Sequence, residues 1–373
     1  MRVVVPREIK EGEKRVALVP DIINKLTRLG LDVTVESGAG SHSQATDADF
    51  SAAGATVKPG DVISDADVVL SVQPLTPKQM ATLKKGAITI SFLSPVTAVD
   101  SIDAAAAAGV TAFSLELVPR ISRAQSMDAL TSQALCAGYR AAVVGAELSP
   151  RFFPMLMTAA GTVTPAQVLV LGAGVAGLQA IATARRLGAV VSAYDVRPAS
   201  ADEVRSMGAT FIELELEALE GAGGYAREMT EDRAAKQREL LTPYIAKSHV
   251  VITTAAVPGR QAPRLMTQQM VDAMAPGTII VDLAAETGGN VEGSKPGEIV
   301  ETSGGVRIWG GKDVPSQLPF HASFLYSRNV VNLLSLFTTP AKDDQKVAFN
   351  LDFEDEIING AAVTHAGARR GAK

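Results

Sequence analysis

The segment that decides the fold of this chain runs from residue 168 to residue 177 and reads VLVLGAGVAG. Its apolar residues predict a buried strand, and the glycines that follow predict a tight turn into a helix. Gly172 allows the turn, Gly174 lets the backbone approach a pyrophosphate, and Gly177 lets the helix pack close to the strand. The first turn of that helix presents free N–H groups and a positive dipole end to phosphates.

A second strand, Val190–Tyr194, follows the glycine helix and ends at Asp195. A carboxylate at this position binds a ribose hydroxyl, so the segment predicts a dinucleotide site. The alternative is a tight turn that binds no ligand. Arg197 complicates the choice of coenzyme, because an arginine just past the strand can bind a 2′-phosphate. Since Asp195 would repel that phosphate, we expect NAD(H), with Arg197 lying across the adenine or facing solvent.

The composition limits the partners that the chain can have. Its 373 residues are too many for one core, which predicts two domains. A net charge of −5 argues against nucleic acid and against an anionic membrane surface. The single cysteine, Cys136, and the spacing of the four histidines predict no metal site. We expect a cytoplasmic protein without direct membrane insertion, because no long apolar run and no secretory signal are present.

Strand and helix patterns alternate along the whole chain. They predict an α/β fold with two Rossmann-like, doubly wound parallel-sheet domains, joined by long helices and separated by a cleft. Residues 1–130 with 325–373 form the predicted N-terminal-type domain, and residues 131–324 form the NAD(H)-binding domain. Helical patterns at Ser126–Leu148 and Phe320–Phe337 connect them. Asn359-Gly360 is a dipeptide typical of a two-residue hairpin turn.

The segment Glu213–Gln237 is glycine-rich and then charged. Segments of this length within a compact domain are often lids or binding loops. A solvated surface excursion explains the same composition, so both interpretations stay open.

Several motifs closely resemble those of the proton-translocating NAD(P) transhydrogenases. They are PRISRAQSMD at 119–128, MTAAGT at 157–162, GAGVAGLQAIATA at 172–184, GGYAREM at 223–229 and VDLAAETGGN at 281–290. The resemblance covers nearly the whole chain, which looks like the soluble NAD(H)-binding alpha chain of that family, made separately from the membrane-spanning portion. The motif at 119–128 and the Gly-Gly-Tyr motif are specific to the family.

The resemblance implies roles for individual residues. Arg120, Gln125 and Asp128 match the catalytic loop that holds the nicotinamide and its ribose against the partner's NADP(H). Ile121 and Ser122 fall in the same contact region. A simpler interpretation is that Arg120 and Asp128 form an ion pair that stabilises the interdomain linker.

Further coenzyme contacts are implied by the same resemblance. They are Val175 in the pyrophosphate turn, Asp195, Val196 and Arg197 at the adenosine ribose, Gly224 and Gln237 in a mobile lid with Tyr225 at its tip, and Ala256 after the strand Val250–Thr254. The family also implies a homodimer docked to an NADP(H)-binding domain next to a membrane domain. This partner would make the chain peripheral to the membrane. The reaction is reversible hydride transfer between NAD(H) and NADP(H), coupled to proton movement.

The chain contains one complete fingerprint, so NADP(H) must be bound by a different polypeptide. The main alternative is an alanine dehydrogenase, whose fold is similar and whose chemistry needs a lysine or histidine acid/base. Arg15 fits that family's pattern, but Gln73 replaces its lysine, the segment at Ser94 has no histidine, and Glu286 replaces its aspartate. Hydride transfer between two nicotinamides needs orientation more than acid/base catalysis. A second alternative is an NAD(H)-sensing module without chemistry.

Overall fold

The computed structural model describes residues 1–216, 230–256, 260–341 and 346–370. The strands are β1 Arg2–Val5, β2 Asp32–Glu36, β3 Thr56–Lys58, β4 Val68–Leu70, β5 Ile88–Ser91, β6 Thr111–Ser114, β7 Leu156–Thr158, β8 Gly161–Val163, β9 Gln167–Leu171, β10 Val190–Tyr194, β11 Thr210–Phe211, β12 Val250–Thr253, β13 Ile279–Asp282, β14 Ile299–Glu301, β15 Arg307–Gly310, β16 Thr338–Thr339, β17 Ala348–Phe349, β18 Thr364–His365 and β19 Ala368–Arg369. The helices are α1 Pro20–Arg28, α2 Asp47–Ala52, α3 Pro77–Thr82, α4 Val99–Ala107, α5 Ala129–Leu148, α6 Val175–Arg186, α7 Ser200–Ser206, α8 Glu231–Lys247, α9 Gln268–Asp272, α10 Pro319–Leu336 and α11 Glu356–Ala361.

The chain forms two compact units. Unit 1 contains residues 1–133 and 315–373, and unit 2 contains residues 134–314. Unit 1 is built on a six-stranded sheet of order β3-β2-β1-β4-β5-β6, in which every pair is parallel. Unit 2 is built on a seven-stranded sheet of order β11-β10-β9-β12-β13-β15-β14, in which only β14 runs antiparallel. The α/β class with parallel, doubly wound sheets predicted from the sequence is confirmed.

Both sheets are covered on both faces, and alternate residues of each central strand show this directly. In β9, Val168 and Val170 enter one buried cluster of unit 2, whereas Leu169 and Leu171 enter the other. A strand buried on both faces loses polar positions and becomes a continuous apolar run. This is why the fingerprint strand has no polar alternation.

One turn prediction was wrong. Asn359 and Gly360 lie within α11 and not in a hairpin. Asp355 caps this helix by accepting a hydrogen bond from the N–H of Ile357 at 2.8 Å. Burial of Ile357 and Ile358 in the core of unit 1 outweighs the local turn preference.

A two-residue turn forms nearby, between β18 and β19. Ala366 and Gly367 adopt φ of +49° and +86°, as the tight turns that match strand twist require. The long helix α5 begins at Ala129, after a 3₁₀ segment at Ser122–Met127, rather than at the predicted Ser126. Of the helices among the described residues, none combines the length and apolar composition needed to cross a bilayer.

Candidate nucleotide-binding site

The glycine turn of unit 2 lies between β9 and α6. Gly172 has φ of +102°, a conformation that L side chains rarely adopt. Its carbonyl accepts a hydrogen bond from the Thr254 hydroxyl at 3.0 Å, which ties the turn to the end of β12. A Cβ atom on Gly177 would overlap the carbonyl oxygen of Gly172, so the start of α6 approaches the turn as closely as only glycine allows. The first and third glycines are therefore explained by packing within the protein.

Gly174 is different, because packing does not explain it. A Cβ atom at this position would have no described atom of the protein within 4 Å. Gly174 is the N-cap of α6, and it has no side chain with which to cap the helix. The first N–H groups of this twelve-residue helix thus face open space. Such a position fits an anionic group that approaches the backbone closely.

Asp195 lies directly after β10 and is bound to the glycine turn. Its Oδ2 accepts the N–H of Ala173 at 2.7 Å. Its Oδ1 accepts the backbone N–H and the Nε–H of Arg197, both at 2.9 Å, and Arg197 Nη2 lies 3.0 Å from Oδ2. Arg197 therefore folds back onto Asp195 instead of facing solvent, and this ion pair raises the pKa of Arg197 above its usual value.

Three other predicted contacts have different surroundings. Val196 is partly buried against an apolar cluster of unit 2, and Ala256 is exposed after β12. Gln237 is buried in α8, where its Oε1 accepts the hydroxyl hydrogen of Tyr194 at 3.2 Å. Burial raises the pKa of Tyr194 to about 12, so this hydroxyl stays a donor. The predicted lid residues Gly224 and Tyr225 lie outside the described residues.

The loop with the predicted nicotinamide contacts belongs to unit 1. Arg120, Ser122 and Gln125 are exposed, whereas Ala124 and Met127 are buried in the core. This alternation fixes the loop through its apolar residues and leaves its polar residues at the surface. Ile121 is partly buried against the same core.

Hydrogen bonds from distant segments hold this loop. Asn329 and Asn332 of α10 both donate to the carbonyl of Ser126 at 3.0 Å. Asp128 accepts the backbone N–H of Thr131 at 2.8 Å and its hydroxyl at 2.6 Å, and so caps the start of α5. Asp128 thus has a structural role of its own, beside the role implied for it in the site.

Unit 1 also contains a buried polar cluster around Arg15. The guanidinium donates to Glu13 at 2.6 and 2.8 Å and to Gln133 at 2.9 Å, and the Gln73 amide donates to Glu13 at 2.7 Å. Burial alone would raise the pKa of Glu13, but the bonds and charge of Arg15 lower it to about 2. Glu8, the neighbouring carboxyl, has its pKa raised to about 7 by burial.

Sequence reasoning missed the residues that hold the site in place. Thr254 was seen only as a strand end, and neither Asn329 nor Arg123 was assigned a role. A hydroxyl residue directly after a strand of the same sheet is a signal for Thr254. For Asn329 the only signal is a polar residue among the apolar positions of a long helix.

Comparisons with known proteins agree over nearly the whole chain. The model described as alanine dehydrogenase/PNT, N-terminal domain, matches residues 4–137, and its C-terminal counterpart matches residues 141–370. The NAD(P) transhydrogenase subunit alpha of Rhodospirillum rubrum is named as a divided subunit. Its first piece is 47% identical to this chain, over 99% of this chain and 97% of that protein.

A solved structure and a more distant relative extend the comparison. The crystal structure of transhydrogenase from Sinorhizobium meliloti superposes with a TM-score of 0.89 and 45% identity, covering 99% of this chain and 100% of that one. Alanine dehydrogenase of Mycobacterium tuberculosis is 35% identical over 79% of this chain and 76% of that protein. The similarity to the transhydrogenases is thus both higher and more complete.

Proposed function

The chain belongs to the alanine dehydrogenase/PNT family as an NAD(P) transhydrogenase alpha subunit, and we propose that it binds NAD(H) and exchanges hydride with NADP(H) held by a partner. The observation that carries the choice of coenzyme is the carboxylate of Asp195, 2.7 Å from the N–H of Ala173 in the glycine turn. An acid anchored there accepts hydrogen bonds from a ribose diol and repels a 2′-phosphate.

The residues of unit 2 fit a dinucleotide. The pyrophosphate lies at the N-terminus of α6, against Gly172, Gly174, Val175 and Gly177, because the open space at Gly174 admits a group where no side chain stands. Asp195 binds the adenosine ribose. We assign contacts on the same half of the coenzyme to Val196, Arg197 and Ala256, to Gln237 through Tyr194, and to Gly224 and Tyr225.

Arg120, Gln125 and Asp128 orient the nicotinamide, with Ile121 and Ser122 beside it. Bound NADH supplies the hydride, and no proton is exchanged at the reacting carbons. The loop therefore needs to fix a ring and exclude other orientations, and no acid or base is required. The exposed polar residues on a loop fixed by buried Ala124 and Met127 suit this task.

The buried cluster in unit 1 argues against an amino-acid dehydrogenase. Such an enzyme needs a cation for the substrate carboxylate and an acid/base for the imine. Arg15 is neutralised by Glu13, and Gln73 is an amide that does not titrate. Glu286 is used in accepting the N–H of Asp313 at 2.9 Å.

The proposed assembly supplies what this chain lacks. A partner domain binds NADP(H), and membrane-spanning subunits couple the reaction to proton movement. The chain itself is then cytoplasmic and peripheral to the membrane through these subunits. One nucleotide fingerprint in the sequence supports this division, since a second coenzyme needs a second site.

The test begins with the purified chain. We expect it to bind NADH more tightly than NADPH by calorimetry, and not to reduce NAD⁺ with alanine. Adding the family's NADP(H)-binding domain together with an oxidised NADP analogue should then give NADH-dependent reduction of the analogue. Alanine-dependent reduction by the chain alone would contradict the proposal. NADH binding with no transfer in the mixture would instead favour the sensing module.

We also propose that the chain is a homodimer, formed through the hairpin β7–β8. Its strands are exposed, and Met157 and Met155 are 77% and 59% exposed. Neighbouring Phe152 is 60% exposed. Apolar side chains concentrated on one exposed ribbon are typical of an interface.

Charge introduced on the ribbon tests the dimer. We expect Met157→Glu to shift the sedimentation coefficient from dimer to monomer, whereas Met207→Glu, at an exposed methionine of the same unit, leaves it unchanged. A wild-type chain that sediments as a monomer at all concentrations contradicts the homodimer without affecting the proposed reaction.

A further inference from the structure

The pair Asp195 and Arg197 is closed on itself. Arg197 contributes three donors, its backbone N–H, Nε and Nη2, to the two oxygens of one carboxylate. Ala173 contributes the fourth donor. The Arg197 side chain is 23% exposed and that of Asp195 is 8% exposed, so solvent screens this pair less than a surface pair.

A coenzyme with a 2′-phosphate would meet both charges of this pair. The phosphate replaces the hydroxyl that Asp195 binds, and it requires a cation next to the ribose. Arg197 is the cation at this strand end, and its guanidinium is already committed to Asp195. The phosphate would have to break a bidentate, charge-assisted contact and would then lie beside a bare carboxylate.

We propose that Arg197 is a latent ligand for a 2′-phosphate, and that its engagement by Asp195 sets the preference of this chain for NAD(H). This inference rests on the proposed NAD(H) site. It goes further in assigning specificity to the pair and not to the acid alone. Without Asp195, Arg197 would turn to the phosphate, and the preference would move towards NADP(H).

The pair has a consequence for the assembly. A transhydrogenase must keep its two coenzymes on their own sites, because the same coenzyme on both sites yields no net reaction. A carboxylate alone repels a 2′-phosphate, but an unpaired arginine two residues away would attract it. Binding Arg197 to Asp195 removes that attraction while keeping the arginine available to shield the ribose site.

A double-mutant cycle tests the proposal. Wild type, Asp195→Asn, Arg197→Ala and the double variant are titrated with NADH and with NADPH by calorimetry. We expect Asp195→Asn to weaken NADH and to tighten NADPH by about tenfold, the value of one added charge-assisted hydrogen bond. In the Asp195→Asn background, Arg197→Ala should remove this gain. In the wild-type background it should leave NADPH binding unchanged or weaker.

The sign of the Arg197 effect separates the outcomes. Equal effects of Arg197→Ala on NADPH affinity in both backgrounds would overturn the inference, as would a gain that survives in the double variant. Failure of the wild type to bind NADH would overturn the proposed function instead. Asp195→Ser, which removes the charge in a smaller side chain, repeats the measurement if Asp195→Asn does not fold.

A matched control lies nearby on α7. Arg205 is 51% exposed and pairs with Asp202 and Glu213. We expect Arg205→Ala in the Asp195→Asn background to retain the NADPH gain. The gain should also shrink as salt is added, since it depends on a charge at the protein surface. A gain that Arg205→Ala removes would point to general surface charge and would contradict the role of Arg197.

Discussion

Arg123 and Asp355, which are 232 residues apart, form a two-pronged ion pair in unit 1. Arg123 Nη1 lies 2.6 Å from Asp355 Oδ2, and Nη2 lies 3.0 Å from Oδ1. Arg123 belongs to the loop that carries Gln125, and Asp355 caps α11. The C-terminal segment therefore fixes the orientation of the loop that we assign to the nicotinamide.

Arg123→Ala should slow hydride transfer while leaving the fold intact. The Arg123 side chain is half exposed, so we expect the free energy of unfolding to fall by no more than about 1 kcal/mol. The hydride rate in the mixed assembly should fall severalfold, with NADH affinity nearly unchanged. Asp355→Asn should have the same effect, and the double variant should be no slower. Arg369→Ala, which breaks the Asp103 pair in the same unit, is the control.

Arg120→Ala and Gln125→Ala should each reduce the hydride rate far more than NADH affinity. If these side chains align the ring, misplacement by about 1 Å costs on the order of 100-fold in rate. Single-turnover reduction of an NADP analogue by bound NADH measures this step, and calorimetry measures affinity. The exposed Arg28 of α1, changed to Ala, is the matched control. A normal hydride rate in Arg120→Ala would remove that residue from the site.

Glu8 should make the protein less stable as pH rises towards neutrality. Burial raises its pKa from 4.5 to about 7, so between these pH values the native state holds a proton that the unfolded state has lost. The free energy of unfolding should therefore fall across this window, by up to about 3 kcal/mol. Glu13 acts below the window, because its pKa is lowered to about 2 and its contribution is lost as pH falls from 4.5.

Urea unfolding of Glu8→Gln at several pH values between 5 and 8 checks this sign. We expect the variant to lose most of the dependence on pH, because the amide does not titrate. Glu11→Gln, at an exposed neighbouring carboxylate, should keep the wild-type slope. An unchanged slope in Glu8→Gln would show that another group causes the dependence.

Asp282→Asn should destabilise unit 2. Asp282 is fully buried at the end of β13, and its Oδ1 accepts the Thr253 hydroxyl and the N–H of Ala284, both at 3.0 Å. Oδ2 accepts the N–H of Val291 at 3.4 Å. An amide nitrogen facing one of these donors costs about 1–3 kcal/mol. Thermal and urea unfolding measure the loss, and Asp202→Asn at a 93% exposed side chain should cost little.

The architecture was predictable because its signals are local. Glycines at 172 and 177, the apolar runs of the strands and the acid at 195 act over a few residues, and the structure has the turn, sheet and strand end that they predict. The turn predicted at Asn359 failed because a local preference competed with burial of Ile357 and Ile358 in a core assembled from distant segments.

The sequence by itself determined the strand–turn–helix–strand unit and the carboxylate at its end, since backbone conformation follows local periodicity and glycine placement. Only the tertiary structure decided which partners the charged and polar side chains have. Arg15 is neutralised by Glu13 in a buried cluster, Gln237 bonds to Tyr194, and Arg123 reaches Asp355. The physical reason is that these contacts depend on how separate segments pack, and the pattern within each segment carries no record of its neighbour in space.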